Sequence, residues 1–332
     1  MRKIVSVDLA SLWPRVAAVA ALMVALAAPL SPAAAEDVQP LVSVEWLNSH
    51  LHDPDLVVLD IRSAIDGGAE KAYAEAHIPG SEHSDYDKDG WRVTRNNVPF
   101  VLPSVAQLEK LIGDVGIDED TRVVVVPAGV SYSDFGSAAR VYWTLKVAGV
   151  TKVSILDGGV AAWRQAGLPV ESGIKAPSPK IFTATLDKSL LAEGSEVVKE
   201  QASGNATLID ARPPAFFAGK EKAPAVAAYG HIPGARSLDS AEFYDATTNK
   251  LKPKTELAAI GAQVPAGKPV VSYCNTGHWA ATDWFVLHEI LGRPQVRVYD
   301  GSMVDWSADA HRPVESSRTK WDDLKKALGL GS

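Results

Sequence analysis

Cys274 is the only cysteine in 332 residues, and its surroundings admit reactive sulfur. The run Val270-Val-Ser-Tyr-Cys274 is apolar and β-prone, and it ends at the thiol. Asn275, Thr276 and Gly277 form a short polar turn. His278 follows, and a long amphipathic stretch begins near Trp279. A thiol between a strand end and a helix start faces backbone N–H groups. These stabilise the thiolate, which is the nucleophilic form of sulfur. The alternative is a buried cysteine acting as a small hydrophobe, and this window alone leaves both open.

Residues 1–35 read as a secretory signal peptide. Arg2, Lys3 and Arg15 make a positive start interrupted by Asp8, Val16 to Leu30 is an apolar alanine-rich run, and Ala33-Ala34-Ala35 is a small-residue cleavage site before Glu36. The run is short for a membrane span, and an uncleaved anchor is the alternative. No cysteine stands at the cleavage site, which excludes lipoprotein anchoring. The expected location is a bacterial periplasm, with no membrane attachment after cleavage. The leader carries three basic residues and one acidic one, so its removal takes the net charge from −7 to −9. That balance argues against nucleic acid or an anionic membrane as partner. Exported proteins use cysteines in disulfide pairs. A lone one is either well buried or kept for its chemistry. Without Cys-x-x-Cys or clustered Cys/His spacing, no metal is expected. Asp157-Gly-Gly159 lacks a phosphate-loop pattern, and no cofactor is expected either.

The elements that must hold this cysteine occur twice. Leu56-Val-Val-Leu-Asp60-Ile-Arg62 is matched by Thr207-Leu-Ile-Asp210-Ala-Arg212, and Ala76-His77-Ile-Pro-Gly80 by Gly230-His231-Ile-Pro-Gly234. An apolar strand and a helix follow in each copy: Arg122 to Val126 with about Ser137 to Ala148, then Pro269 to Tyr273 with Ala280 to Leu291. Gly149 to Asp157 and Gly292 to Asp300 are both eight-residue steps, and Asp157 to Trp163 and Asp300 to Trp306 are both six. A repeat of this length is a duplicated domain. Short Val/Ile/Leu strands alternating with helix-period stretches imply α/β domains with parallel sheets. Residues 36–172 form the first domain, 173–192 the linker around Lys175-Ala-Pro-Ser-Pro-Lys180, 193–318 the second domain and 319–332 a C-terminal helix. Asp60 and Asp210 read as structural partners of Arg62 and Arg212, and His77 and His231 as hydrogen-bonded loop residues.

Paired Asp-x-Arg, His-Ile-Pro-Gly and Asp-Gly-(Gly/Ser)…Trp segments, with one cysteine in a short loop of the second copy, resemble the tandem-domain rhodanese sulfurtransferases. The resemblance covers nearly the whole chain after the leader. It implies two α/β domains, each a central parallel sheet with helices on both faces. It also implies a first domain that has lost its cysteine, as in Pro127-Ala-Gly-Val-Ser-Tyr-Ser-Asp-Phe135. The implied activity moves a sulfane sulfur from a small donor, of the thiosulfate or 3-mercaptopyruvate type, to a thiol or cyanide through a Cys274 persulfide. Cys274 is then the nucleophile, and Asn275, Thr276, Gly277, His278 and Trp279 form the sulfur-binding loop. Asp210 and Arg212 support it. A monomer is expected.

Within that loop, Thr276 either donates its hydroxyl to the sulfur or caps the turn. His278 either adds a donor or faces solvent, the latter being favoured, and Trp279 either walls the pocket or simply packs. The loop lacks the basic residues of thiosulfate-using relatives and the small Gly-Ser pair of mercaptopyruvate-using ones. Phe216 stands where a substrate-binding arginine is common, leaving Lys220 and Lys222 as substitute cations. The alternative function is a non-catalytic persulfide carrier or sulfur-binding module. A cysteine-loop phosphatase is disfavoured because Ala280 stands where its arginine is needed.

Overall fold

The computed structural model describes residues 38–319. The signal peptide expected at 1–35 and the helix expected beyond Thr319 lie outside the described residues.

Two parallel sheets carry the fold. The first contains β1 (Leu41–Val42), β2 (Leu56–Asp60) and β3 (Glu82–His83). After a short antiparallel ribbon of β4 (Val93–Arg95) and β5 (Val98–Val101), it is completed by β6 (Arg122–Val126) and β7 (Val153–Leu156), in the order β1-β7-β6-β2-β3. The second contains β8 (Thr207–Asp210) and β9 (Arg236–Ser237). A second ribbon, β10 (Tyr244–Asp245) with β11 (Lys250–Leu251), precedes β12 (Val270–Tyr273) and β13 (Val296–Val298), and the sheet order is β13-β12-β8-β9.

Alternation along each strand shows why both sheets must be covered twice. On β6, Val123 and Val125 enter one apolar core while Val124 and Val126 enter another. Leu47, Val160 and Trp163, from the Val44–His50 and Gly159–Gln165 helices, close the second of these. The second sheet divides likewise, with Val270 on one side and Val271 on the other. Side chains of period two that are apolar on both faces leave a strand no solvent side.

The expected repeat is visible as shared contacts. Arg62 reaches the carbonyl of Ala76 as Arg212 reaches that of Gly230. His77 bridges Glu171 as His231 bridges Glu315, and Trp163 bonds the carbonyl of Pro169 as Trp306 bonds that of Pro313. The domains are nevertheless not two separate cores. The Tyr132–Ala148 helix packs along the His278–Trp284 helix. One apolar cluster runs from Leu59 and Val125 through Phe135 and Tyr142 to Phe285, Val270 and Cys274. This seam puts residues of the first domain beside the cysteine loop of the second.

Candidate active site

Cys274 follows the last residue of β12, at the carboxyl edge of a parallel sheet, where α/β folds place their ligand crevices. It is 1% exposed. The chain then curls through Gly277, whose φ of +73° is left-handed, into the His278–Trp284 helix. Ser302 pins the curl. Its Oγ accepts the N–H groups of Cys274 and Gly277, both at 3.0 Å, and donates to the carbonyl of Tyr299 at 2.8 Å.

The carbonyls of Cys274, Asn275 and Thr276 all have donors of their own. Cys274 and Asn275 accept from the N–H groups of Met303 and Val304 at 3.1 and 3.0 Å. Thr276 accepts from Nη1 of Arg140 at 3.3 Å. A trans peptide aims its N–H opposite its C=O, so the N–H groups of Asn275 and Thr276 face away from Met303 and Val304. No acceptor among the described residues takes either one. The first-turn N–H groups of the following helix have no partner within the helix.

The matching loop of the first domain is closed by its own anion. Asp134 accepts the N–H groups of Ala128, Gly129 and Val130 at 3.0, 2.6 and 3.1 Å. Burial pushes its carboxyl up to about 6, against the pull of those three amides. The sequence marked this loop as inactive by its missing cysteine. The geometry adds that its amides are already spent.

Arg140 is the cation the loop itself lacks, and it comes from the other domain. It is fully buried, lies 3.6 Å from the carboxylate of Asp300, and donates to the carbonyl of Phe100 at 3.4 Å as well as to Thr276. Burial pulls its guanidinium below the ordinary arginine range, opposed by the charge of Asp300. Asp300 in turn accepts the N–H of Leu102 at 2.6 Å. A Cβ on Gly277 would stand 2.3 Å from Nη1 of Arg140, so glycine is required for space as well as for φ.

His278 does not face solvent as expected. It is buried between domains, with Nε2 2.8 Å from the carbonyl of Ser133 and Nδ1 2.8 Å from the hydroxyl of Tyr86. The carbonyl requires the proton on Nε2, so Nδ1 accepts from Tyr86. Burial, with the charge of Arg92, pushes the imidazole down to about 3. His278 is thus a neutral clamp at working pH and adds no positive charge.

Trp279 is half-buried. It donates Nε1 to Ser133 Oγ at 3.2 Å and meets Phe216 edge-on at 6.4 Å and Tyr132 at 6.0 Å. Phe216 therefore places an aromatic edge where a cation was sought. Lys222 does not replace it, because its Nζ is held on the carbonyl of Val226 at 2.7 Å. Lys220 is exposed. Arg212 is committed to Asp210, both being buried, and its Nη1 also reaches Oδ1 of Asn275 at 3.4 Å. Asp210 and Arg212 thereby hold the loop from beneath. The hydroxyl of Thr276 is bonded to no described residue.

Both halves of the chain match the model of the rhodanese-like domain, at residues 43–166 and 193–309. The chain belongs to the rhodanese family. A 3-mercaptopyruvate sulfurtransferase of Escherichia coli (strain K12) is 31% identical over 281 residues, covering 82% of this chain and 97% of the relative. A thiosulfate sulfurtransferase of Mus musculus is 34% identical over 292 residues, covering 84% and 96%. The crystal structure of SseA, a 3-mercaptopyruvate sulfotransferase from Escherichia coli, superposes with a TM-score of 0.68 at 29% identity, covering 81% of this chain and 99% of that one. These rhodanese relatives are sulfurtransferases, and their likeness supports that class of activity here.

Sequence reading missed Arg140, Tyr86, Ser133 and Ser302. The first three belong to the first domain and lie 136 to 192 residues from their partners in the loop. In the sequence Ser302 is only the end of an Asp-Gly-Ser turn. Its φ of +49° is a conformation no residue pattern announces.

Proposed function

We propose that the protein is a persulfide-forming sulfurtransferase in which Cys274 is both nucleophile and sulfur carrier. The observation that carries this reading is the pair of unspent loop amides, those of Asn275 and Thr276, which directly follow the thiol in the curl. An anionic terminal sulfur placed there gains preorganised donors and the field of Arg140 without any rearrangement. In the first half-reaction the Cys274 thiolate attacks the outer sulfur of the donor. For thiosulfate the S–S bond breaks and sulfite leaves with the electron pair. For 3-mercaptopyruvate the C–S bond breaks and the pyruvate enolate leaves. In the second, a thiol or cyanide attacks the terminal sulfur and the Cys274 thiolate is restored.

Thiosulfate and 3-mercaptopyruvate are the donors named for the relatives. The neutral loop and the aromatic edge of Phe216 favour the singly charged mercaptopyruvate over the thiosulfate dianion, since less fixed positive charge is on hand to replace water around the second charge. Steady-state kinetics with each donor and cyanide test the reading. Parallel double-reciprocal lines are expected, the signature of a covalent sulfur intermediate. Intersecting lines, or equal rates from Cys274→Ser, contradict it.

A persulfide carrier is the second reading, favoured by the near-complete burial of Cys274. It requires stoichiometric loading from either donor without turnover. Export to a periplasm is also proposed, on the basic start, apolar run and Ala33-Ala34-Ala35 of the leader. An N-terminus at Glu36 in protein recovered from a periplasmic extract is the expected result.

A further inference from the structure

The reaction drawn for 3-mercaptopyruvate leaves one proton unaccounted for. The departing enolate must be protonated at carbon to become pyruvate, whereas sulfite leaving from thiosulfate needs no proton. His278, the nearest histidine in sequence, is neutral and has both nitrogens occupied.

One buried acid has no other occupation. Asp283 is 0% exposed, and neither of its carboxyl oxygens has a hydrogen-bond partner among the described residues. Buried polar atoms are rarely left so. It follows Cys274 by nine residues and lies on the His278–Trp284 helix, one turn past Trp279 on the same face. That helix packs against the 240–243 turn, where the Oγ of Ser240 is also buried and unpaired. The charges that act on it most are acidic. Burial comes first, then Cys274, Asp239, Asp210 and Glu242, in raising its carboxyl well above the ordinary range. An ionised Asp283 in that company would oppose the thiolate. A neutral one leaves the negative charge on sulfur and keeps a proton in reserve.

We infer that Asp283 is the proton donor of the reaction, delivering H⁺ to the carbon that departs when a 3-mercaptopyruvate-type donor gives up its sulfur. The inference rests on the Cys274 persulfide reading. In the balanced step, the thiolate forms the S–S bond as the C–S pair passes to carbon. The carboxyl of Asp283 protonates that carbon, directly or through one water. The new Cys274–S–SH then returns its proton to the Asp283 carboxylate, leaving the persulfide anion and the acid as they began.

The test compares Asp283→Asn and Asp283→Val in the mature protein, with both donors and cyanide as acceptor. Mercaptopyruvate turnover falls about 100-fold in both variants, the usual range for loss of a general acid, while thiosulfate turnover stays within about twofold of the wild type. The thiosulfate arm reports that Cys274 and its loop are intact. If both donors lose activity together in both variants, or neither does, Asp283 is structural and the inference is overturned while the persulfide reading stands. A wild type that uses thiosulfate alone also overturns it. A wild type that turns over neither donor removes the sulfurtransferase reading, and this inference with it.

Discussion

Arg140 of the first domain places Nη1 3.3 Å from the carbonyl oxygen of Thr276 in the second. The contact ties the domain without a cysteine to the loop that carries one. The cysteine loop is short and neutral, and the buried cation that contacts it comes from across the seam between domains. The same guanidinium anchors Asp300 and Phe100, so one buried cation fixes both walls around Gly277.

Replacing Arg140 with Met should therefore do two things. Asp300 is left with the Leu102 amide as its remaining close donor. Breaking a buried ion pair on one side costs about 3 kcal/mol, readable as a lower urea midpoint. Persulfide formation should fall about 100-fold, as for loss of a preorganised donor. Arg140→Lys should recover part of the stability and little of the rate, because an ammonium cannot span the Thr276 and Phe100 carbonyls. Stopped-flow loading with each donor checks the rates, and urea unfolding the stabilities.

Ser302→Ala removes one oxygen and strands two buried amides, those of Cys274 and Gly277. Each unsatisfied buried N–H costs about 1–3 kcal/mol. The expected outcome is a thermal shift of several degrees together with faster amide exchange confined to 274–277. Ser302→Gly should recover about 1 kcal/mol relative to the alanine variant by relieving the left-handed φ, but it should show the same fast exchange at 274–277, because it does not supply the missing acceptor.

Gly277→Ala adds a methyl that meets Nη1 of Arg140 at 2.3 Å and the backbone of Asp300 at 2.8 Å, and it adds about 1 kcal/mol or more of left-handed strain. Loss of activity should exceed loss of stability, since the loop can relieve the collision by opening. Retained wild-type turnover in this variant contradicts the described curl.

His278 sets a pH dependence of definite sign. Its folded-state imidazole lies near 3 and its unfolded value near 6.5. The unfolded chain therefore binds the extra proton first, and this residue withdraws stability as pH falls from about 6.5 towards 3. Relative to His278→Gln, the wild type should lose about 2 kcal/mol more between pH 7 and pH 5, measured by urea unfolding. The rate profile between pH 5 and pH 8 should contain no step that disappears in the glutamine variant.

Much of the scaffold was legible in the chain because it repeats. Apolar strands of period two, the Asp60–Arg62 and Asp210–Arg212 pairs, and the Trp163 and Trp306 anchors recur at fixed spacing, and each makes the same contact in both copies. The position of Cys274 at the end of β12 followed from the same periodicity. The environment of the loop was less legible. Nothing near Cys274 in sequence points to Arg140, since a guanidinium that pairs across a domain seam is chosen by tertiary packing. The histidine misreading has the same origin. His278 sits in a polar turn that reads as exposed, but Tyr86 and Ser133 of the other domain cover it. Asp283 lies within the stretch read as amphipathic, and only the packed structure shows that its face is buried.

The most direct measurement is the intact mass of the protein after incubation with 3-mercaptopyruvate or thiosulfate and removal of excess donor. Sulfur carried on Cys274 requires the wild type to gain the mass of one sulfur atom, to lose it on adding cyanide with release of thiocyanate, and Cys274→Ser to gain nothing. A wild type that stays at its unmodified mass with both donors, or a serine variant that gains the same mass, contradicts it.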